Sequence, residues 1–456
     1  MSAPTTEAPA PFAVTRRYTR WLLTLLVLIY TSNFIDRTIV STLGQAIKRD
    51  LALSDAQLGV LTGLTFALFY TGLGIPLARL AERKNRVVIL AVCTGLWSAM
   101  TAICGFAQTY WQLLLARTGV GVGEAGFTPC GQSLISDHFP PEKRSSALAI
   151  YSLGIPLGSM VGAFAGGWIA QHLNWRIAFL IVGAPGLILA ILAFLTLKEP
   201  PRGHSEPGRP TSATAPPLIA VLRTLWAKPS VLIVMVAAGI ASIGGYGVNG
   251  FIPPYFVRAF GLDYSHAGLV AGLVTGVPAG IALLLGGYLT DWIALKDKRA
   301  YGWAPAAGLI VAAPLTVISF LQGNPVAATI GLMIAACVQQ AYLAPTFALV
   351  NNMVEPRMRA TAIAIGSFVW GMIGLGCGPL LVGVISDRLA KGLFRMGDFA
   401  VLCPGGAGKT PATVEACRAA SAMGLQHALI GAAAFYLLAA ALYLLAARTV
   451  RRDLDR

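Results

Sequence analysis

Four ionisable residues stand inside stretches that are otherwise apolar. Asp36 and Arg37 interrupt "WLLTLLVLIYTSNFIDRTIV", and Arg117 and Glu124 interrupt "LLLARTGVGVGEAGF". A charge at the centre of a bilayer costs roughly 2.5–3.5 kcal/mol on insertion scales. Two chemistries offset that cost: ion pairs that pin helices together, or a carboxylate that carries a proton beside guanidinium groups that meet an anion. Intramembrane ionisable groups mark sites of the second kind by default, and that reading is preferred here. Asp36 is the leading proton carrier and Glu124 the second, with Arg37 and Arg117 as partners of an anionic head group. Arg117 and Glu124 share one helical face, about two turns or ~10 Å apart. Asp36 and Arg37 are adjacent, so their side chains diverge by about 100°. Each therefore needs its own surroundings, a partner helix for one and a wet cavity for the other.

The elements that hold these residues follow from composition. The chain has 456 residues, 56% of them hydrophobic and 12% charged, about half the charge of a soluble domain. Twelve apolar segments each approach the roughly 20 residues needed to cross hydrocarbon, and such segments must be helical to satisfy their backbone groups. The fold class is an all-α membrane protein of twelve helices. The first segment is taken to begin near residue 19, the last to cover 424–447. Residues 1–18 read as a disordered N-terminus, and the run after Arg16, Arg17 and Arg20 as a retained anchor rather than a cleaved signal.

The net charge of +15 is spread as the positive-inside rule requires, not as a nucleic-acid surface. With both termini cytoplasmic, about 23 of the 34 basic residues fall on that side. Residues 198–228 ("KEPPRGHSEPGRP…") are polar and Pro-rich and read as a cytoplasmic linker. They divide a six-helix half at 19–197 from another at 229–447, leaving a cytoplasmic tail at 448–456. After helix 2 comes "ARLAERKNRVV" and after helix 8 "GGYLTDWIALKDKR". Both place an acid, Glu82 or Asp291, before a basic cluster, and such repeats accompany alternating access.

"ARLAERKNR" resembles the G-x-L-x-D-R-x-G-R loop of the major facilitator superfamily, departing from it at Ala78, Glu82 and Asn85. The second copy keeps Gly287 and Asp291 but has Trp292 for the Arg. "NFIDRTIV…SDAQLGVLTGLTF", "ARTGVGVGEAGFTP" and "NWRIAFLIVGAPGLILA" narrow the resemblance to the spinster-like branch, chiefly over residues 30–190. The resemblance implies the major facilitator fold and proton-linked transport of lysolipids such as sphingosine-1-phosphate. It also implies that Glu82, Arg83 and Asp291 tie the cytoplasmic helix ends together as gating residues.

Helix 5 reads "YSLGIPLGSMVGAFAGGW", with Gly154, Gly158, Gly162 and Gly166 every four residues. That stripe permits close helix contact, either as ordinary packing or as a surface on which helices rock. Tyr151, Asn249 and Trp370 are candidate substrate contacts; Tyr246, Gln339, Gln340, Asn351 and Asn352 are further polar groups of the second half. "GVGEAG" and "CPGGAGKT" imitate nucleotide loops, but neither follows a strand. Five cysteines sit in helices as small apolar filler, while Cys403 and Cys417 share a non-cytoplasmic loop where an oxidising compartment permits a disulfide. No nucleophile or metal constellation is present, so the reading is a transporter, not an enzyme, with no cofactor. It is a monomer of the bacterial inner membrane whose partners are protons, membrane lipid and a lysolipid or similar amphipathic anion. The alternative is a proton-linked carrier of small organic anions or drug-like compounds.

Overall fold

The computed structural model describes residues 15–202, 204–205, 218–294, 297, 299–355 and 358–454. Helix 1 runs Arg16–Asp50, with Thr15 capping it by accepting from the Tyr18 amide. It starts before residue 19 because the arginines ahead of the apolar run continue the helix. Helix 2 spans Asp55–Arg83 and helix 3 Arg86–Cys104. Helix 4 is built of Tyr110–Glu124 and Phe127–His138, broken at Ala125–Gly126. Helix 5 joins Pro141–Ser152 to Gly154–His172, and helix 6 is Trp175–Thr196. A short helix Leu218–Trp226 precedes the second half.

Helix 7 is Pro229–Phe260, helix 8 Tyr264–Ala294 and helix 9 Ala300–Phe320. Helix 10 comprises Pro325–Gln340 and Leu343–Asn352. Helix 11 comprises Arg359–Trp370 and Cys377–Leu393, joined by a widened turn at Gly371–Gly376. Helix 12 is Pro411–Leu454, 44 residues long. It begins well before the apolar segment at 424, because "ATVEACRAASAMG" is Ala-rich and helix-forming although it carries charge. Among the described residues, eleven helices are long and apolar enough to cross a membrane; helix 4 is the twelfth crossing, interrupted by its own kink.

Glycines set how closely these helices lie. A methyl added to Gly123 would stand 2.6 Å from the Trp97 amide nitrogen, and one on Gly126 2.6 Å from the Cys93 sulfur. Helix 4 therefore presses on helix 3 along that edge. The stripe on helix 5 faces helix 1: Gly154 abuts Tyr30, Gly158 the Thr31 carbonyl and Phe34, and Gly162 Ile35. It is a seam inside one half. The seam between halves uses other glycines, with Gly167 against the Tyr264 carbonyl, Gly268 against that of Ala163, and Gly276 against Met160. Helices 2 and 11 meet in the same way, Gly59 on Pro379 and Gly63 2.5 Å from the Leu375 carbonyl.

At the face opposite the chain ends, called the distal face below, a buried ion network joins the halves. Arg258 of helix 7 donates from Nη1 and Nη2 to both oxygens of Asp55 at 2.8 and 2.7 Å. Lys48 Nζ donates to Asp55 Oδ1 at 2.6 Å, and Ser386 Oγ to Oδ2 at 2.7 Å. Arg258 Nε also donates to Gln45 at 2.6 Å. Asp387 accepts from the first two amides of helix 2, those of Asp55 and Ala56, at 3.0 and 2.8 Å. Asp55 is 2% exposed and Arg258 4%.

Removing one partner of a buried, fully bonded ion network typically costs about 3–5 kcal/mol, because the others are left charged and dry. Asp55→Ala is therefore expected to lower the melting temperature and to speed hydrogen exchange at the amides of residues 54–57. Exchange there at the wild-type rate would mean that the network does not hold the distal face shut.

Candidate functional site

Helices 1 and 4 bring the four intramembrane charges together, and the glycine contacts on either side fix their placement. Arg37 Nε donates to Glu124 Oε2 at 2.6 Å. Its guanidinium carbon also lies 4.2 Å from the Tyr70 ring centroid and 5.0 Å from those of Phe34 and Phe66. Aromatic faces attract a cation when water is scarce. The Arg37 side chain keeps 22% of its surface exposed, whereas Glu124 is sealed. Arg37 thus ends at the wall of a space open to solvent.

Asp36 points the other way and is fully buried. Trp97 and Thr101 of helix 3 are within hydrogen-bonding reach of it, but among the described residues no bond of good geometry reaches either carboxylate oxygen. Arg117 is 1% exposed and reaches the Asp36 carbonyl, not its carboxylate, at 3.4 Å; Phe66 lies 5.6 Å from its guanidinium carbon. Asn33, Ser98, Thr101, Trp97, Arg117 Nε and Glu124 Oε1 are likewise buried polar groups without a hydrogen bond of good geometry among the described residues, although Asn33 lies within reach of Glu124. An unmatched buried polar group costs about 1–3 kcal/mol, so the gathering of so many in one place sets this cluster apart from the matched network of the distal face.

Arg117 and Glu124 share a face without forming a salt bridge among the described residues: Glu124 is held by Arg37 of helix 1. Tyr151 stacks on Tyr30 at 4.4 Å and packs by Phe127, 1% exposed, so it lies behind the charged group within the first half. Tyr246 is 45% exposed although Gly244 and Gly247 beside it on helix 7 are buried, and it lies within electrostatic reach of Arg37 and Tyr70. Arg37 of the first half and Tyr246 of the second thus stand where the two halves approach. Asn249 lies apart, lining a small void with Gln339, Thr316 and Tyr436. Trp370 stands edge-on to Phe347 at 5.1 Å.

Glu82 and Arg83 are exposed at the end of helix 2, and the side chain of Asp291 lies outside the described residues. Arg86, the last residue of that signature loop, makes the ties there. It pairs with Asp137 and Glu199 and donates to Ser133 and the Pro200 carbonyl, joining helices 3, 4 and 6. Sequence reading also missed Lys48, Asp55, Arg258 and Asp387. Their signal was faint, since charges near helix ends are ordinary. Cys403 and Cys417 are joined by a disulfide, and five described cysteines are free.

The comparisons with known proteins agree with this geometry. The Major Facilitator Superfamily description matches residues 26–379. An MFS-type efflux pump of Mycolicibacterium smegmatis is 36% identical over 371 residues, covering 81% of this chain and 85% of that one. Protein spinster homolog 1 of Homo sapiens is 29% identical, covering 82% and 74%. The zebrafish (Danio rerio) sphingosine-1-phosphate transporter SPNS2 is 27% identical, covering 82% and 78%. The crystal structure of a bacterial homolog of the human lysosomal transporter spinster, inward-facing and unoccupied, superposes with a TM-score of 0.88 at 34% identity, covering 96% of this chain and 99% of that one. With twelve crossings, a seam between two halves and a charged site at mid-membrane already in place, these matches establish that the chain belongs to the major facilitator superfamily, in its spinster-like branch.

Proposed function

We propose that this transporter carries lysolipids or similar amphipathic anions, of the sphingosine-1-phosphate or lysophospholipid kind, and couples their movement to protons. The observation that carries the reading is the division of labour between neighbours on helix 1. Asp36 is buried, with no salt bridge among the described residues and only loosely held by Trp97 and Thr101, which suits a carboxylate that changes protonation state. Arg37 reaches the space between the halves amid Phe34, Phe66 and Tyr70, as a head-group partner flanked by apolar walls must. Glu124 holds Arg37 and is the second proton site, and Arg117 is the reserve cation behind them. An anion arriving at Arg37 competes with Glu124 for the same guanidinium, which frees a carboxylate to take a proton. Tyr151, which is sealed behind the charged group, and Asn249, which lines a separate void, become secondary contacts only as the halves move, with Trp370 a third, and Glu82, Arg83 and Asp291 serve at the gate.

In this reading the protein is a monomer of a bacterial inner membrane with both termini cytoplasmic, so the distal face is the outer one. The six-helix bodies at 19–197 and 229–447 rock about it, joined by the linker at 198–228. The names of its relatives include a sphingosine-1-phosphate transporter, which favours the lipid. The efflux-pump name of the Mycolicibacterium smegmatis relative favours the second reading, export of drug-like or small organic anions.

Uptake of a lysolipid panel into proteoliposomes, with and without a proton gradient, tests the proposal. Asp36→Asn is expected to abolish accumulation against a gradient while folded protein remains in the membrane, since the amide imitates a permanently protonated acid. A mutant that concentrates substrate as wild type does would remove Asp36 from the coupling. Affinity is expected to rise with acyl length, each buried CH₂ adding roughly 0.8 kcal/mol, until the apolar wall is filled. Arg37→Ala should shrink the difference between phosphorylated and unphosphorylated ligands. A series flat in chain length, or preference for a tail-less acid, promotes the second reading.

A further inference from the structure

The distal face holds a second cavity, distinct from the space beside Arg37. It encloses about 290 Å³ and is lined by Arg49, Arg258 and Arg418 together with Gln45 and Ser421. Among the described residues, no carboxylate lines it. Its remaining wall is apolar, including Val257, Leu262 and Val414, and glycine backbone from Gly406 to Gly408. That glycine wall is part of "CPGGAGKT", which has no nucleotide-binding context but is not idle. Gly405 and Gly406 adopt φ of 64° and 79°, and a methyl on Gly405 would stand 2.8 Å from the Lys48 carbonyl of helix 1. The loop belongs to the second half and lies directly on the first. The Cys403–Cys417 bond closes it, one helical turn before Ser421.

We propose that this cavity is an anion-binding site for a phosphate-type group, free or carried as the head group of an amphipath. Arg49 and Arg418, with no acid in the described lining, supply the charge, Arg258 being already paired with Asp55, and planar guanidinium groups match phosphate oxygens by paired hydrogen bonds. The apolar wall beside them accepts the start of a chain. Arg258 is the link to the gate. It lines the cavity while its Nη1 and Nη2 hold Asp55 across the halves, and Nη1 also donates to Ser421 at 3.3 Å. An anion in the cavity competes with Asp55 for that guanidinium, so its occupancy loosens the distal network. Binding is independent of the transport reading; only the naming of the distal face as the outer one rests on it.

The test uses the full chain in phosphatidylcholine nanodiscs, titrated calorimetrically with inorganic phosphate and with palmitoyl lysophosphatidic acid. Arg49→Ala/Arg418→Ala removes two exposed guanidinium groups and is expected to weaken binding at this site at least about tenfold, the loss of one charge-assisted hydrogen bond. Arg418→Glu, which adds repulsion, should weaken it further. Weakening for both probes supports a site that reads the phosphate itself, for the lysolipid alone a lipid head-group site, and for phosphate alone a free-anion site. Wild-type binding of both probes by the double variant and by Arg418→Glu overturns the proposal. Arg37→Ala/Arg117→Ala addresses the central site separately. If it leaves lysophosphatidate binding untouched while the distal variants reduce it, the lysolipid reading of the central site fails and the distal site stands.

Discussion

A charge removed from water must be paired, bonded or left beside water, and in this protein that rule produces two different solutions. In the buried network at the distal face every group is matched. Asp55 receives two hydrogen bonds from Arg258, one from Lys48 and one from Ser386, and Asp387 takes up the exposed amides at the start of helix 2. In mid-membrane the matched pair is Arg37 with Glu124, and a group of buried polar atoms around Asp36 is left without partners among the described residues. The first arrangement holds the halves together. The second holds nothing shut, and its groups are free to exchange partners.

Both solutions depend on backbone contacts that only glycine permits. Gly123 and Gly126 bring helix 4 against helix 3, which aims Arg117 and Glu124 at helix 1. Gly158 and Gly162 hold helix 1 from the other side at Thr31, Phe34 and Ile35, next to Asp36 and Arg37. Larger residues at any of these would part the helices and lengthen the 2.6 Å bond between Arg37 and Glu124. The seam between the halves, at Gly167, Gly268 and Gly276, plays a different part, letting helices 5 and 8 of the two halves approach closely.

Much of this was legible in the sequence. Apolar runs of membrane length announced the helices, and the cost of burying Asp36, Arg37, Arg117 and Glu124 announced the site. The partners were not legible. The spacing of Arg117 and Glu124 fixes a shared face, but whether that face meets Arg37 depends on how helix 4 packs, which is set by contacts far apart in the chain. Asp55 and Arg258 are separated by 203 positions, and each alone resembles an ordinary charge at a helix end. The start of helix 12 at Pro411 was hidden for the converse reason: its first turns are helical without being apolar, and hydropathy marks hydrocarbon rather than helix.

Under the proposed proton-coupled reading, the contrast between the two networks also orders events in the cycle. A network in which every donor and acceptor is used has a deep, narrow minimum, and leaving it means breaking several charge-assisted bonds together. A network with spare acceptors changes state by moving one proton or one guanidinium, which is a small step. Conformational coupling therefore requires that the small step bear on the large one. Helix 1 is the mechanical connection, for it carries Asp36 and Arg37 at its centre and Gln45 and Lys48 near its distal end, where they bond Arg258 and Asp55. A change in how Arg37 is held shifts a rigid helix whose far end is bolted to the distal network. Two sites on one helix, one loosely satisfied and one fully satisfied, are enough for the state of the first to bias the integrity of the second.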